Sequence, residues 1–166
     1  MFISLFSSMF STRPKTILVS LALTLTVLLH GLWISNHPVV TKGEARESLV
    51  VADMQLQNNY ILPLRGGISI PSKPPLFHWI SSGVSYFTGA LDGLEVRAPS
   101  VISVASAGIA ISLLSFIFFG TESGFISLIV FFFSLESLRH GGNARVDMLF
   151  TACLTLVFAG SSLLIS

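Results

Sequence analysis

A chain of 166 residues, 52% hydrophobic and 10% charged, lies far outside the range of soluble domains, where about a quarter of residues carry charge. Its mean hydropathy is +0.81; the formal charge of +1 says nothing about nucleic acid, no basic cluster suggests such a partner, and none is expected. Cys153 is the only cysteine, so neither a disulfide framework nor a cysteine-based metal site can form within one chain.

Arg13 and Lys15 precede a charge-free segment over 16–41, an arrangement shared by secretion signals and first membrane spans. The dense apolar part reaches Ile34, close to the ~20 residues that cross a bilayer core, and no small-x-small cleavage site follows. We therefore expect a cytoplasmic tail over 1–15 and an uncleaved span over 16–36. His30 then serves helix packing, Trp33 marks the interface and Pro38 closes the helix.

A long polar loop over 37–98 follows. Within it Ala45, Leu49, Ala52 and Leu56 recur at helical spacing and predict an amphipathic helix over 44–57, resting its apolar stripe on the membrane surface. At about 100° per residue, Glu44 and Glu47 fall on one flank of the stripe and Arg46 and Asp53 on the other. Asn58-Asn59 and Gly66-Gly67 interrupt regular structure. A second short helix is expected after Pro74-Pro75, carrying Phe77, Trp79, Ile80, Val84 and Phe87 to the interfacial belt, with His78 packed among the aromatics.

Three more spans are expected: 99–119, with Arg97 just before it and Pro99 in its first turn; 125–139, after a tight turn from Gly120 to Gly124; and 146–166. Because spans alternate, the 37–98 loop and the polar link from Arg139 to Arg145 share a face. It is the outer face if the N-terminus is cytoplasmic. The expected fold class is an all-α membrane protein with about four transmembrane helices and amphipathic juxtamembrane helices in the first outer loop.

The residues able to carry chemistry gather on that face. Glu44 is an acid in a first helical turn, where the dipole favours its ionised form. Lys73 is a cation held between Ser72 and a rigid Pro-Pro, Arg46 and Arg65 add positive charge, and Asp147 sits at the mouth of the last span. A general base is an acid or imidazole within hydrogen-bond reach of the proton it takes, and neighbouring cations suit a phosphate leaving group. The set fits transfer from a phosphate-linked lipid, while Arg46 and Asp53 read more readily as a solvated helix flank. Glu136, near a span end, is expected to snorkel or pair. His37, His140, Asp147 and Glu44 lack the short ligand spacing of a metal site.

Five segments in order resemble the C-type membrane glycosyltransferases of the aminoarabinose transferase and protein O-mannosyltransferase superfamily. They are Gly43-Glu44-Ala45-Arg46, the run from Asn59-Tyr60 through Pro63 to Gly67, Lys73-Pro74-Pro75-Leu76-Phe77-His78-Trp79, Arg97-Ala98-Pro99-Ser100 and Arg145-Val146-Asp147. The resemblance covers about residues 16–166. Gly43 stands where the family has the first of two acids, and Ser72 stands where the aminoarabinose transferases carry an acid.

What the resemblance implies is an inverting transfer of a sugar from a polyprenyl-phosphate donor to a lipid, glycan or protein acceptor. The setting would be a bacterial inner membrane, with the motif loop on the periplasmic side. Glu44 and Asp147 would be the catalytic acids, and Lys73 with Arg46 would hold the donor phosphate. Some relatives bind a divalent metal near these acids; no other cofactor is implied. Family members are several times longer, so the chain is expected to be the N-terminal part of such an enzyme, with a second chain supplying missing helices, or an inactive truncated remnant. A non-catalytic membrane subunit or scaffold is the alternative, and a transporter fragment fits less well because the polar residues collect at one surface.

Overall fold

The computed structural model describes residues 14–35 and 37–165. The expected tail lies outside the described residues up to position 13, as do the side chains of His30 and Trp33. Among the described residues there are seven helices and no strand: α1 (Pro14–Ser35), α2 (Lys42–Gln57), α3 (Leu76–Thr88), α4 (Gly93–Phe119), α5 (Thr121–Phe132), α6 (Leu135–Gly141) and α7 (Val146–Ile165). The chain is thus all-helical, and α4 touches every other helix.

Local chemistry explains the helix ends. Thr41 caps α2 through a reciprocal pair of bonds: its hydroxyl accepts from Glu44 N–H, and the Glu44 carboxylate accepts from Thr41 N–H. Asp92 and Glu95 form the same capping box at the start of α4. That helix therefore begins at Gly93 rather than near 99, and Pro99 falls inside it, where one intrahelical bond is forgone. The segment expected as a single helix over 125–139 is two helices. Phe133 leaves helical geometry, Ser134 turns extended and caps α6 by accepting from Ser137 N–H, and α5 and α6 meet at 58°. Only Gly120 is needed for the turn before α5, with φ of +92°.

Among the described residues, α4 is the one helix long and apolar enough to cross a bilayer by itself. The bent pair of α5 and α6 passes the same test only as a unit, and the apolar part of α7, Val146–Ser162, is shorter. One apolar cluster joins Val104, Leu128, Phe132 and Met148, with Leu23 and Val27 of α1 packed against it. A second joins Phe77, Val96 and Ala144 beneath the polar loop.

Helix α2 has two faces. Glu44, Val50, Val51 and Met54 are buried against the protein, whereas Ala45, Leu49 and Leu56 are exposed on the opposite side. The apolar stripe that predicts the helix is therefore not the side that packs.

The α4–α5 hairpin depends on close backbone approach. A Cβ on Gly124 would lie 2.9 Å from the Ser112 carbonyl oxygen, which is backbone and cannot step aside. The Ser112 hydroxyl donates to the Gly124 carbonyl at 2.9 Å, and the Ser127 and Ser115 hydroxyls are hydrogen-bonded at 2.7 Å, the small-residue and hydroxyl pairing of helix contacts in lipid. Gly124→Val should cost about 1–3 kcal/mol and lower the melting temperature in detergent, read by circular dichroism. Gly160→Val, in open space, should leave it unchanged.

Candidate functional site

The centre of the polar face is a buried ion pair. Arg97 Nε donates to Glu44 Oε1 at 2.6 Å and its Nη2 to Oε2 at 3.2 Å. Glu44 is 2% exposed and Arg97 5%. The same guanidinium donates to the carbonyls of His37 at 2.7 Å and Pro38 at 3.1 Å. The carboxylate also accepts from the Thr41 N–H and hydroxyl and from Ala144 N–H. One carboxylate thus joins the exit of α1, the start of α2, the first turns of α4 and the link before α7. Burial by itself pushes the Glu44 carboxyl up, but the Arg97 bond and the Thr41 and Ala144 N–H groups outweigh it and bring the pKa from 4.5 to about 2. With both oxygens in use, Glu44 is placed to hold the site together and not to collect a proton.

A second pair is open to solvent. Lys73 Nζ lies 2.8 Å from Asp147 Oδ1, with side chains 39% and 67% exposed. Its position follows from the first: Ala144 is fixed by Glu44, and Arg145 exchanges two bonds with Ser100, donating N–H to the hydroxyl at 2.9 Å and accepting at 3.2 Å. Arg145 is exposed and acts electrostatically on Asp147. Arg46 is exposed on α2 and makes no ion pair among the described residues. The structure therefore brings Lys73 and Asp147 together and pairs Glu44 with Arg97 instead.

The intervening loop is built by its own turn chemistry. The Asn59 side chain closes the turn before Pro63, accepting from Leu62 N–H and donating to the Leu62 carbonyl. Gly66 and Gly67 both take positive φ, and Gly67 N–H donates to Asp53 at 2.7 Å. Asp53, which reads in sequence as a solvated flank, ties this turn to α2. Trp79 Nε1 donates to the Tyr60 carbonyl. His78 is fully buried, with Nε2 2.7 Å from Glu47 Oε2, and so joins α3 to α2.

Among the described residues no group of three or more His, Cys, Asp or Glu gathers as a metal site would require. Glu44 and Asp147 each face a cation instead of one another, so the two acids do not fit a divalent ion. Glu136 pairs with His140 at 2.9 Å. No protein-family model, curated protein or solved structure matches this chain. Sequence reasoning missed Arg97 as the partner of Glu44 and Ser100 as the partner of Arg145; the only signal for either is their shared Arg97-x-Pro99-Ser100 segment at the head of α4.

Arg97→Ala should destabilise the protein by about 3–5 kcal/mol, because it strands a buried carboxylate; loss of the monomer peak in size exclusion or a large fall in melting temperature reads this out. The pH dependence has a fixed sign. A carboxyl with a depressed folded pKa contributes stability that is complete above its ordinary 4.5 and lost as pH falls toward about 2. The melting temperature should therefore drop between pH 4.5 and 2, and Glu44→Gln should flatten that part of the profile.

Proposed function

We propose that this chain is a multi-pass membrane protein, with α1, α4, the bent pair of α5 and α6, and α7 as its four spans. We infer that it forms part of a glycosyltransferase that moves a sugar from a polyprenyl-phosphate donor to a lipid, glycan or protein hydroxyl, with the motif loop on the outer face. The observation that carries this reading is the convergence of Lys73 and Asp147, 74 residues apart, into an exposed pair above a rigid polar frame. An acid beside a cation at a membrane mouth suits the displacement of a lipid phosphate.

In this reading the donor phosphate competes with Asp147 for Lys73. Once the ammonium has turned to the phosphate, the Asp147 carboxylate is free to accept a proton. The acceptor oxygen then bonds to the anomeric carbon from the side opposite the leaving group, and the bond from that carbon to the phosphate oxygen breaks. The electron pair leaves with the polyprenyl phosphate, and the hydroxyl proton passes to Asp147. A single displacement of this kind inverts the anomeric centre. Arg145 and Arg46 add positive potential at the mouth, and Glu44 with Arg97 keeps the reacting groups in register.

A second reading, a non-catalytic subunit whose loop docks another chain, is favoured by Ile61, Ile68, Tyr86 and Phe87, which are 84–91% exposed.

The test is binding and transfer with the purified chain in lipid nanodiscs, supplied with polyprenyl phosphate and its glycosyl derivative. Lys73→Ala should weaken polyprenyl-phosphate binding about tenfold or more. Asp147→Asn should bind it more tightly, since the competing carboxylate charge is gone, yet lose transfer by about 10²-fold or more. Unchanged binding in both variants overturns the assignment and leaves the docking reading.

A further inference from the structure

A cleft of about 490 Å³, lined by neither Lys73 nor Asp147, lies between α1, α4 and the α5–α6 bend. That volume falls within the roughly 300–1,000 Å³ of small-molecule sites. Its walls are largely apolar, from Leu23 and Val27 on α1, Val101 and Val104 on α4 and Phe132 on α5, and Arg139 and Asn143 complete the lining. Between Gly31 and Leu23, both on the wall, α1 advances about 12 Å, so the cleft runs down along the helices instead of lying across them.

The charges near Arg139 are uneven. Glu136, the acid on the same short helix, is engaged by His140. The Asn143 amide donates to the Arg139 carbonyl at 2.8 Å and braces the backbone there. The Arg139 side chain is exposed and makes no ion pair or hydrogen bond among the described residues. An unpaired guanidinium lining a largely apolar, lengthwise cleft is complementary to one kind of molecule: an anionic headgroup on a hydrocarbon chain. A neighbouring protein helix would fill the groove but would leave the cation unanswered.

We propose that this cleft binds an anionic phospholipid, its phosphate on Arg139 and one acyl chain along Leu23, Val27 and Phe132. Basic pockets between membrane helices select phosphate headgroups in this way. The site is independent of the transfer chemistry proposed above and would exist in a non-catalytic subunit as well.

The experiment is native mass spectrometry of the full chain from detergent micelles doped with phosphatidylglycerol or phosphatidylcholine. Phosphatidylglycerol should be retained roughly tenfold over phosphatidylcholine. Arg139→Gln should remove that preference, Arg139→Lys should keep most of it, and Thr26→Phe, which fills the cleft from its exposed wall, should reduce retention of both lipids. Lys73→Ala should leave the preference intact. Equal retention of the two lipids by the unaltered chain overturns the proposal, and so does an undiminished preference in Arg139→Gln. Loss of the preference in Arg139→Lys or in Lys73→Ala would place the anion elsewhere. Displacement of the lipid by millimolar inorganic phosphate, with no effect of Thr26→Phe, would assign the guanidinium to free phosphate and refute the lipid.

Discussion

The structure depends on burying one carboxylate and one guanidinium together. Taking either charge out of water is expensive, and the mutual attraction repays it only when geometry is good and the remaining donors and acceptors are satisfied. Here they are: Arg97 reaches both Glu44 oxygens and two carbonyls, and Glu44 collects three further donors. The donors come from segments up to 100 residues away from Glu44. The helices could pack on apolar surface alone with many registers; the fork of Arg97 against one carboxylate admits far fewer. Ala144 is fixed by it, Arg145 is then placed against Ser100, and Asp147 follows in the first turn of α7.

The two ion pairs on this face do opposite work, and exposure separates them. Glu44 and Arg97 are sealed, so neither can change partner without unfolding its surroundings. Lys73 and Asp147 are solvated, where a pair is worth about 1 kcal/mol or less and can be exchanged for a better partner. A site that must let a phosphate in needs a pair of the second kind, held in place by one of the first. In the proposed function this division gives the frame to Glu44 and the chemistry to Asp147, although in sequence both read simply as acids near one surface.

Much of the local structure is legible from short patterns, and some patterns were there to be used further. Thr41-x-x-Glu44 and Asp92-x-x-Glu95 are capping boxes; read as such, they place the starts of α2 and α4, and with them Pro99 inside a helix. Ser134 as a helix cap divides the third apolar run, but the run around it is continuous in hydropathy, so periodicity alone joins what the cap separates. The stripe of Ala45, Leu49 and Leu56 predicts the helix and lies on its exposed side, whereas the buried side, with Glu44, Val50, Val51 and Met54, is not marked by that periodicity. The partner of Glu44 was not legible. Sequence places Arg97 at a span entrance, and no local rule states that an arginine 53 residues on will turn inward to meet it.

In the membrane reading the outward stripe of α2 and the exposed Ile61, Ile68, Tyr86 and Phe87 rest the loop on the headgroup region. That location sharpens the electrostatics of the mouth. At the interface the dielectric is lower than in bulk water, so Lys73, Arg145 and Arg46 act on an anion more strongly than three solvated side chains would. The same location limits what can reach them, since an anion on a long hydrocarbon tail is delivered laterally at the right depth whereas a soluble anion is not. In the proposed function, hydrophobic exposure and cationic charge, each unremarkable singly, together favour a lipid whose phosphate travels at the height of Lys73.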